Sequence, residues 1–366
     1  MQFDVMNDNK YYDIRKVLII LDGMDDEKHM EQGGKTPRES AFMPTLQQMR
    51  REGQITLLNT IPSGNAPATD VALLKILGHN VPENFTGRAW LEALGEGIII
   101  GEKDLCLRCN LIKTENGKIA SHAVEDISDT SVVIDALNNN FSNSKYRFYS
   151  GKGYRNLLVI KNCDTNIKVS PVHTLIGAET ESLLVECDNL EIQHYLNNII
   201  IKAPEVLAKC LHINANGVAL WAPGKKPDMY PLIKDGVVIA GVSLVKGIGK
   251  WMGMTVINVK GATGGYDTDL VAKMDATAEA LRNHHFVLLH IEAPDEASHM
   301  RSFQKKKEIL EKIDKLVLAP LLKLPYDIDV TVQSDHATSS LTGLHLTNPV
   351  EVVKYHIKNC PNSSNG

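Results

Sequence analysis

Several short stretches of the chain set carboxylates and imidazoles where a cation or a phosphoryl group can be handled. The first is Leu289-His290-Ile291-Glu292-Ala293-Pro294-Asp295-Glu296-Ala297-Ser298-His299. Phe286 to Ile291 reads as a strand that Pro294 cannot continue. Asp295 and His299 are four apart, so one helical turn puts both on one face, within reach of one cation. Taken alone, such a pair is usually a cap or a solvated ion pair. The second stretch is Asp329-Val330-Thr331-Val332-Gln333-Ser334-Asp335-His336, an apolar strand running into acid and imidazole, with a structural Asp-His turn as the alternative. The third is His345, in the loop Leu344-His345-Leu346-Thr347-Asn348-Pro349. The fourth is Asp22, directly after the continuous apolar run KVLIIL from Lys16 to Leu21.

Asp22, Asp295 and Asp335–His336 all fall at or just past the ends of strands buried on both faces, as parallel strands are. Open α/β sheets bind their ligands at that edge. Three carboxylates and three imidazoles suit borderline divalent ions such as Mn²⁺ or Zn²⁺, and mixed O/N donors argue against Ca²⁺. Two ions about 4 Å apart can clamp the attacking and leaving oxygens of an in-line displacement. The missing part is a hydroxyl nucleophile, and Thr69 supplies one.

The elements that must position these groups follow from local signals. Thr36-Pro37-Arg38-Glu39 is a helix start with Thr as cap, Pro at the first position and Glu at the third. Pro44 to Glu52 reads as a helix stopped by Gly53, followed by the strand QITLLNTI. After the turn at Gly64–Asp70, Val71 to Leu77 looks helical with Gly78 as stop, placing Thr69 near a helix N-terminus that favours phosphate. From about Asp104 to His212, strand-like pieces (LCLRCNLI, YRNLLVIK) alternate with Asn-, Asp- and Ser-rich segments. The rhythm then resumes through GVALWAP, VVIAGVSLVKGIGKWM, TVINV, a helix near Asp269 to Asn283, FVLLHI, a helix near Phe303 to Leu322, and DVTVQ. The expected architecture is an α/β core, 14–103 with 212–358, carrying a mostly parallel sheet flanked by helices. A smaller α+β domain, 104–211, is inserted into it to cap the substrate. The last residues, Pro361 to Gly366, read as a loose tail.

The chain has 366 residues, enough for two cores, and a formal net charge of −5. No basic block is long enough to track nucleic acid. The densest run, Lys305–Lys307, reads as a solvated helix face. No apolar stretch approaches the roughly 20 residues of a membrane span, and the polar, acidic start resembles neither a secretory nor a transit signal. Cys106 and Cys109 lack a second pair at zinc-site spacing and sit in a strand-like run, so reduced structural thiols are expected. These features suit a cytoplasmic enzyme acting on a small metabolite, without nucleic-acid or membrane partners and with no oligomeric state implied.

In order along the chain, LDGM, GGKTPRESA, APATDVALLKILG, TGRAWLEALG, LRCNLI, LVKGIG, KGATGGYDTD, HIEAPDEASH, and SDHATS with HLTNPV resemble the archaeal-type, cofactor-independent phosphoglycerate mutases of the alkaline phosphatase superfamily. The resemblance runs from about Val17 to Val353 and is weakest in the inserted domain. HIEAPDEASH, GYRNLLVIK and ALWAPGKKP are also similar to a branch of relatives proposed to act as homoserine kinases.

The resemblance implies an alkaline-phosphatase-like core with two divalent ions, Mn²⁺ or Zn²⁺ with Mg²⁺ as a further candidate. Asp22, Thr69, Asp335 and His336 would ligate one, and Asp295, His299 and His345 the other. It implies Thr69 as nucleophile, where the family usually carries Ser, and a phosphothreonine that returns its phosphoryl group to a different hydroxyl of the same small phosphorylated metabolite. The implied reaction interconverts 3- and 2-phosphoglycerate without 2,3-bisphosphoglycerate. The alternatives are a homoserine-kinase-like phosphotransferase and a phosphatase. Lys246 matches a phosphate-contacting lysine, with a helix-face lysine as its other reading. Arg88 and Arg155 match basic positions able to pair with phosphate or carboxylate, and for Arg155 a surface strand residue is the alternative. Asp267 is either a substrate contact or, more simply, an N-cap. The glycine-rich stretch around it lacks the Gly-Lys-Ser/Thr of a P-loop.

Two departures bear on the substrate. The family's Arg-Arg-Ala-Gly-Arg run is replaced by Ala120-Ser121-His122-Ala123-Val124-Glu125-Asp126, leaving His122 as a partial substitute. Each lost charged hydrogen bond is worth about 1.5–3 kcal/mol. The acids after the DEAGH motif are replaced by Met300-Arg301-Ser302. The phosphotransfer machinery is complete; the grip on the substrate is altered.

Overall fold

The computed structural model describes residues 14–83, 85–124, 129–210, 213–228, 233 and 235–358. The tail expected at 361–366 and the acidic start lie outside these residues, as do Glu125 and Asp126. The chain divides into two compact units, one formed by the parts before Thr86 and after Asp228, the other by Thr86–Asp228.

In chain order the strands begin with β1 (Arg15–Leu21), β2 (Gln54–Leu58), β3 (Leu105–Glu115), β4 (Lys118–Ser121), β5 (Tyr146–Tyr149) and β6 (Arg155–Ile160). Two short ones follow, β7 (Ile167–Lys168) and β8 (Glu186–Cys187), then β9 (Gly217–Gly224), β10 (Val237–Ile239) and β11 (Thr255–Ile257). The last are β12 (Phe286–Ile291), β13 (Ile328–Gln333), β14 (Ala337–Thr338), β15 (His345–Leu346) and β16 (Val350–Ile357). The helices are α1 (Pro37–Ser40), α2 (Pro44–Glu52), α3 (Thr69–Ile76), α4 (Arg88–Gly95), α5 (Ser131–Phe141) and α6 (Leu190–Leu207). They continue with α7 (Ser243–Trp251), α8 (Leu270–Ala280), α9 (Ala293–His299), α10 (Phe303–Ile313) and α11 (Ala319–Leu321).

The first unit is built on a seven-stranded sheet in the order β11-β10-β12-β1-β13-β16-β2. β11, β10, β12, β1 and β13 run parallel, and β16 runs antiparallel to both its neighbours. The run that made β1 legible is buried throughout, from Val17 to Leu21. Val17, Ile19 and Leu21 pack with Leu46 and Met49 of α2, Met274 of α8, and Ile309 and Leu310 of α10. Ile20 therefore belongs to the other face, in register with His290 on β12 and Gln333 on β13. β1 is central, so its carboxyl end delivers Asp22 between the chain segments that leave β12 and β13.

The second unit carries an antiparallel sheet in the order β4-β3-β6-β5, with β9 also on β3. α5 and α6 close its apolar core through Val133, Leu137, Leu196 and Ile199. GVALWAP, expected with the resumed α/β rhythm, is β9 and pairs with β3. Its continuous apolar run fits either sheet, and only the partner decides. Cys106 and Cys109 lie on β3 as free, buried thiols, and burial pushes both up to about 12.

The Lys305–Lys307 run is a second correction. Lys306 is fully buried, paired with Asp26 at 2.9 Å and donating to the carbonyl of Thr338 at 2.8 Å. A helix turns one residue in three or four toward its own core, and here a buried carboxylate meets the lysine that turns inward. Among the described residues no helix is long and apolar enough to cross a membrane.

Candidate metal centre

Asp295 and His299 occupy the two ends of a helical turn in α9, as their spacing requires, with His299 Nε2 2.9 Å from Asp295 Oδ2. His345 stands not in a loop but in β15, paired with β14. Its Nε2 lies 3.5 Å from Asp295 Oδ1 and 3.3 Å from His299 Nε2. Each ring is anchored by its other nitrogen: His299 Nδ1 on the carbonyl of Gly343 at 2.9 Å, His345 Nδ1 on the carbonyl of Pro67 at 3.1 Å. A carbonyl only accepts, so both Nδ1 atoms carry a proton and both Nε2 atoms are turned toward Asp295. Ligating histidines are oriented in this way.

The second cluster repeats the device more deeply. Thr338 donates its hydroxyl proton to Asp295 Oδ1 at 2.6 Å, so its oxygen faces His336 Nδ1, 3.2 Å away, as acceptor. His336 Nε2 is left aimed at Asp335 Oδ2, 3.4 Å away, and Asp22 Oδ1, 3.8 Å away. All three of these atoms are buried without a hydrogen-bond partner. Asp335 Oδ1, by contrast, accepts from the backbone N–H groups of His336 at 2.9 Å and Gly23 at 3.4 Å. Asp22, Asp295 and His336 each offer a donor atom within 4.8 Å of one another, and so do Asp295, His299 and His345. Asp295 thus belongs to both groups.

Gly23 is required here. Its φ is +63°, and a Cβ would meet Thr338 Oγ1 at 2.7 Å and Asp295 Cα at 2.8 Å. The Asp22-Gly23 pair therefore marks the place where the chain turns against the site.

The electrostatics ask for a cation. Burial, then Asp335 and Asp295, push the Asp22 carboxyl well above the usual carboxylate range. Burial keeps the His336 ring below its ordinary value and takes His290 down to about 4. The orphaned Asp22 Oδ1, Asp335 Oδ2 and His336 Nε2 fit a divalent ion in donor type. Without one they would be costly, because each buried polar group left unsatisfied forfeits about 1–3 kcal/mol of solvation.

His299 is the exception. Burial works against its charge, but the adjoining Asp295 carboxylate outweighs that and raises the ring to about 9. Below about pH 9 a cation arriving at Asp295, His299 and His345 must expel that proton. Calorimetric titration of the metal-free protein with Mn²⁺ near neutral pH, in buffers of different ionisation heat, is expected to show at least one proton released. The affinity should rise with pH up to about 9. An affinity flat between pH 6.5 and that value would remove His299 from the ligand set.

Thr69 is the first residue of α3, half-buried, and the cap position Ala68 makes no side-chain hydrogen bond. The carbonyl of Pro67 that holds His345 ties this turn to the cluster. Lys246 lies on α7 and donates to Asn258 at 2.9 Å. Asp267 accepts from Thr263 at 2.8 Å, while the cap of α8 is Asp269, which accepts from Ala272 at 2.9 Å. The N-cap role expected of Asp267 falls two residues later, where the helix starts.

Arg88, His122 and Arg155 belong to the second unit. Arg88 pairs with Glu92 one turn along α4, at 3.2 Å, and Arg108 binds the same carboxylate with two nitrogens. Burial works to raise Glu92, but Arg108 and Arg88 outweigh it and hold the carboxyl below its usual range. Arg155 is exposed at the start of β6 with its guanidinium over Tyr154, and His122 meets the same ring edge-on. Burial, then Arg155, lowers the His122 ring. Arg108, Glu92, Thr338 and His290 were not singled out from sequence. Arg108 looked like any strand residue, whereas the polar His290 inside FVLLHI was a signal that could have been used.

The fold and the converging carboxylates and imidazoles define an α/β protein with a candidate divalent-metal centre at the carboxyl edge of its parallel sheet. A family described as 2,3-bisphosphoglycerate-independent phosphoglycerate mutase matches residues 51–212. The mutase of that name from Methanosarcina barkeri is 34% identical over 364 residues, covering 93% of this chain and 90% of its own. One from Methanothermobacter thermautotrophicus is 34% identical over 355 residues, covering 93% and 88%. The chain belongs to the 2,3-bisphosphoglycerate-independent phosphoglycerate mutase family. Its fold is shared with a Pyrococcus horikoshii protein (TM-score 0.76, 24% identity, 94% of this chain and 88% of that one). It is also shared with the cofactor-independent phosphoglycerate mutase of Thermoplasma acidophilum (TM-score 0.61, 22% identity, 96% and 92%).

Proposed function

We propose that this protein interconverts 3- and 2-phosphoglycerate without 2,3-bisphosphoglycerate, by passing the phosphoryl group through Thr69. The observation that carries the reading is the meeting of Asp22 Oδ1, Asp335 Oδ2 and His336 Nε2, buried and without hydrogen-bond partners, beside the Asp295–His299–His345 group. The relatives' names support this reading over a homoserine kinase.

In the proposed roles, Asp22, Thr69, Asp335 and His336 hold one divalent ion, and Asp295, His299 and His345 another, Mn²⁺ or Zn²⁺ by their mixed donors. Such a pair, when bound, offsets the charge of the phosphoryl oxygens and favours the ionised hydroxyl. Thr69 Oγ attacks phosphorus, the P–O bond to the substrate breaks, and the glycerate oxygen that leaves takes up a proton. The free hydroxyl on the neighbouring carbon then attacks phosphothreonine and gives up its proton, the bond from phosphorus to Thr69 Oγ breaks, and the phosphoryl group passes to the other position. Lys246, Arg88, Arg155 and His122 are assigned to the substrate's phosphate and carboxylate. Asp267, engaged with Thr263, is assigned to bracing the glycine-rich loop.

An enolase-coupled assay with Mn²⁺ and 3-phosphoglycerate tests this, with homoserine plus ATP in parallel because the arginine run is absent. Turnover of 3-phosphoglycerate that disappears with a chelator and needs no nucleotide is the expected result. Nucleotide-dependent phosphorylation of homoserine without mutase turnover would overturn it.

A further inference from the structure

His290 takes no part in the roles assigned above. It lies on β12 in register with Ile20, and Ile20 with Gln333, across three adjacent parallel strands. Residues two apart on a strand share a face. Asp22 and Asp335, two beyond Ile20 and Gln333, therefore leave the sheet on the face that His290 occupies. The imidazole is fully buried, and neither ring nitrogen has a hydrogen-bond partner. Nε2 stands 3.3 Å from Asp22 Oδ2 without the alignment of a hydrogen bond. Asp22, His290 and Asp335 each offer one donor atom, all within 4.8 Å of one another.

We infer that His290 is a metal ligand: with Asp22 and Asp335 it holds a divalent cation on the buried side of the centre. Asp22 then serves two directions, Oδ1 toward His336 and Oδ2 toward His290. Two carboxylates and a neutral imidazole make a donor set for Mn²⁺ or Zn²⁺, and metal–nitrogen bonding answers for a ring that the protein itself leaves unpartnered. Lys273, buried behind the strand, donates to the backbone carbonyl of His290 at 3.1 Å and fixes the position from which the ring projects. The inference rests on the reading of this edge as a metal centre, and not on which substrate is turned over.

Crystals of the full chain saturated with zinc, mapped by anomalous scattering at the zinc edge, decide the geometry. The expected result is a peak at metal–nitrogen distance from His290, about 2.0–2.1 Å. In solution, Mn²⁺ binding to the metal-free chain is counted from the EPR signal of free Mn²⁺, for wild type, His290→Phe and His290→Gln. Both variants should weaken at least one ion by roughly 10–100-fold, the range seen when metal-site partners are removed. If His290→Gln restores full affinity, the ring acts as a hydrogen-bond donor to Asp22 and the inference falls. It falls equally if no peak lies beside His290, if neither variant alters affinity, or if the wild type binds no divalent ion. Should His290→Phe fail to fold, the zinc map and His290→Gln still decide. A zinc peak on His290 in a protein that does not convert 3-phosphoglycerate would keep this inference and remove the mutase reading.

Discussion

Thr69→Ala is expected to lower mutase turnover by roughly 10⁴–10⁶-fold, the scale on which hydrolases lose activity when their nucleophile is removed. The side chain is small and half-buried at the first turn of α3, so alanine keeps both helix and fold. What disappears is the oxygen that carries the phosphoryl group between the two positions of the substrate. Divalent-ion binding should persist in weakened form, because every other residue assigned to the ions stays in place. Thr69→Ser keeps the oxygen and removes one methyl group, and its turnover is expected within about tenfold of wild type, on the scale of a single methylene. A phosphate adduct on the peptide bearing Thr69, trapped by acid quench and found by mass spectrometry in wild type and Thr69→Ser alone, would identify the carrier. Undiminished turnover in Thr69→Ala would mean that the phosphoryl group moves by another route.

The parts of this centre that were legible in the sequence are those in which local periodicity and three-dimensional position coincide. Asp295 and His299 meet because four residues make about one helical turn, and Asp22 and Asp335 meet because parallel strands end at one edge. Thr69 was placed at a helix start by the turn before it, which is where α3 begins. What stayed hidden depends on partners far along the chain. His290 looks like one more residue in a buried strand until its register with Ile20 brings it to the face of Asp22. Thr338 is an ordinary small residue after SDHA, yet its one hydroxyl fixes both Asp295 and His336. β9 reads as a core strand because its unbroken apolar run records burial and says nothing of which sheet is joined. Arg108 and Arg88 show the same gap in the second unit, since their shared Glu92 could not be paired with either from spacing alone beyond the one-turn contact of Arg88.

Lys306 gives the largest stability effect expected from a residue outside the ligand set. Its ammonium is fully buried, and its three contacts are Asp26 Oδ2 at 2.9 Å, the Thr338 carbonyl at 2.8 Å and the Asp25 carbonyl at 3.2 Å. Burial pushes the lysine below its ordinary value, and Asp26 opposes that shift. The Asp26 side chain is equally buried and otherwise accepts from Ser340, whose hydroxyl donates at 2.7 Å, and from the backbone N–H of Glu27 at 2.7 Å. Lys306→Met fills nearly the same volume but leaves a carboxylate in the interior with no cation beside it. Removing one partner of a buried pair costs about 3–5 kcal/mol. Denaturant unfolding of the metal-free chain should show that loss. A shift of less than about 1 kcal/mol, the scale of an exposed pair, would place Lys306 among surface lysines after all. Adding Asp26→Asn should recover part of the loss, because the uncompensated charge is removed and the amide still meets Ser340. Lys306 also holds the backbone of Thr338, whose hydroxyl steadies Asp295 and His336, so Lys306→Met should weaken Mn²⁺ binding as well. If the double variant regains stability but not metal affinity, the lysine works on the centre through Thr338 and not through global stability.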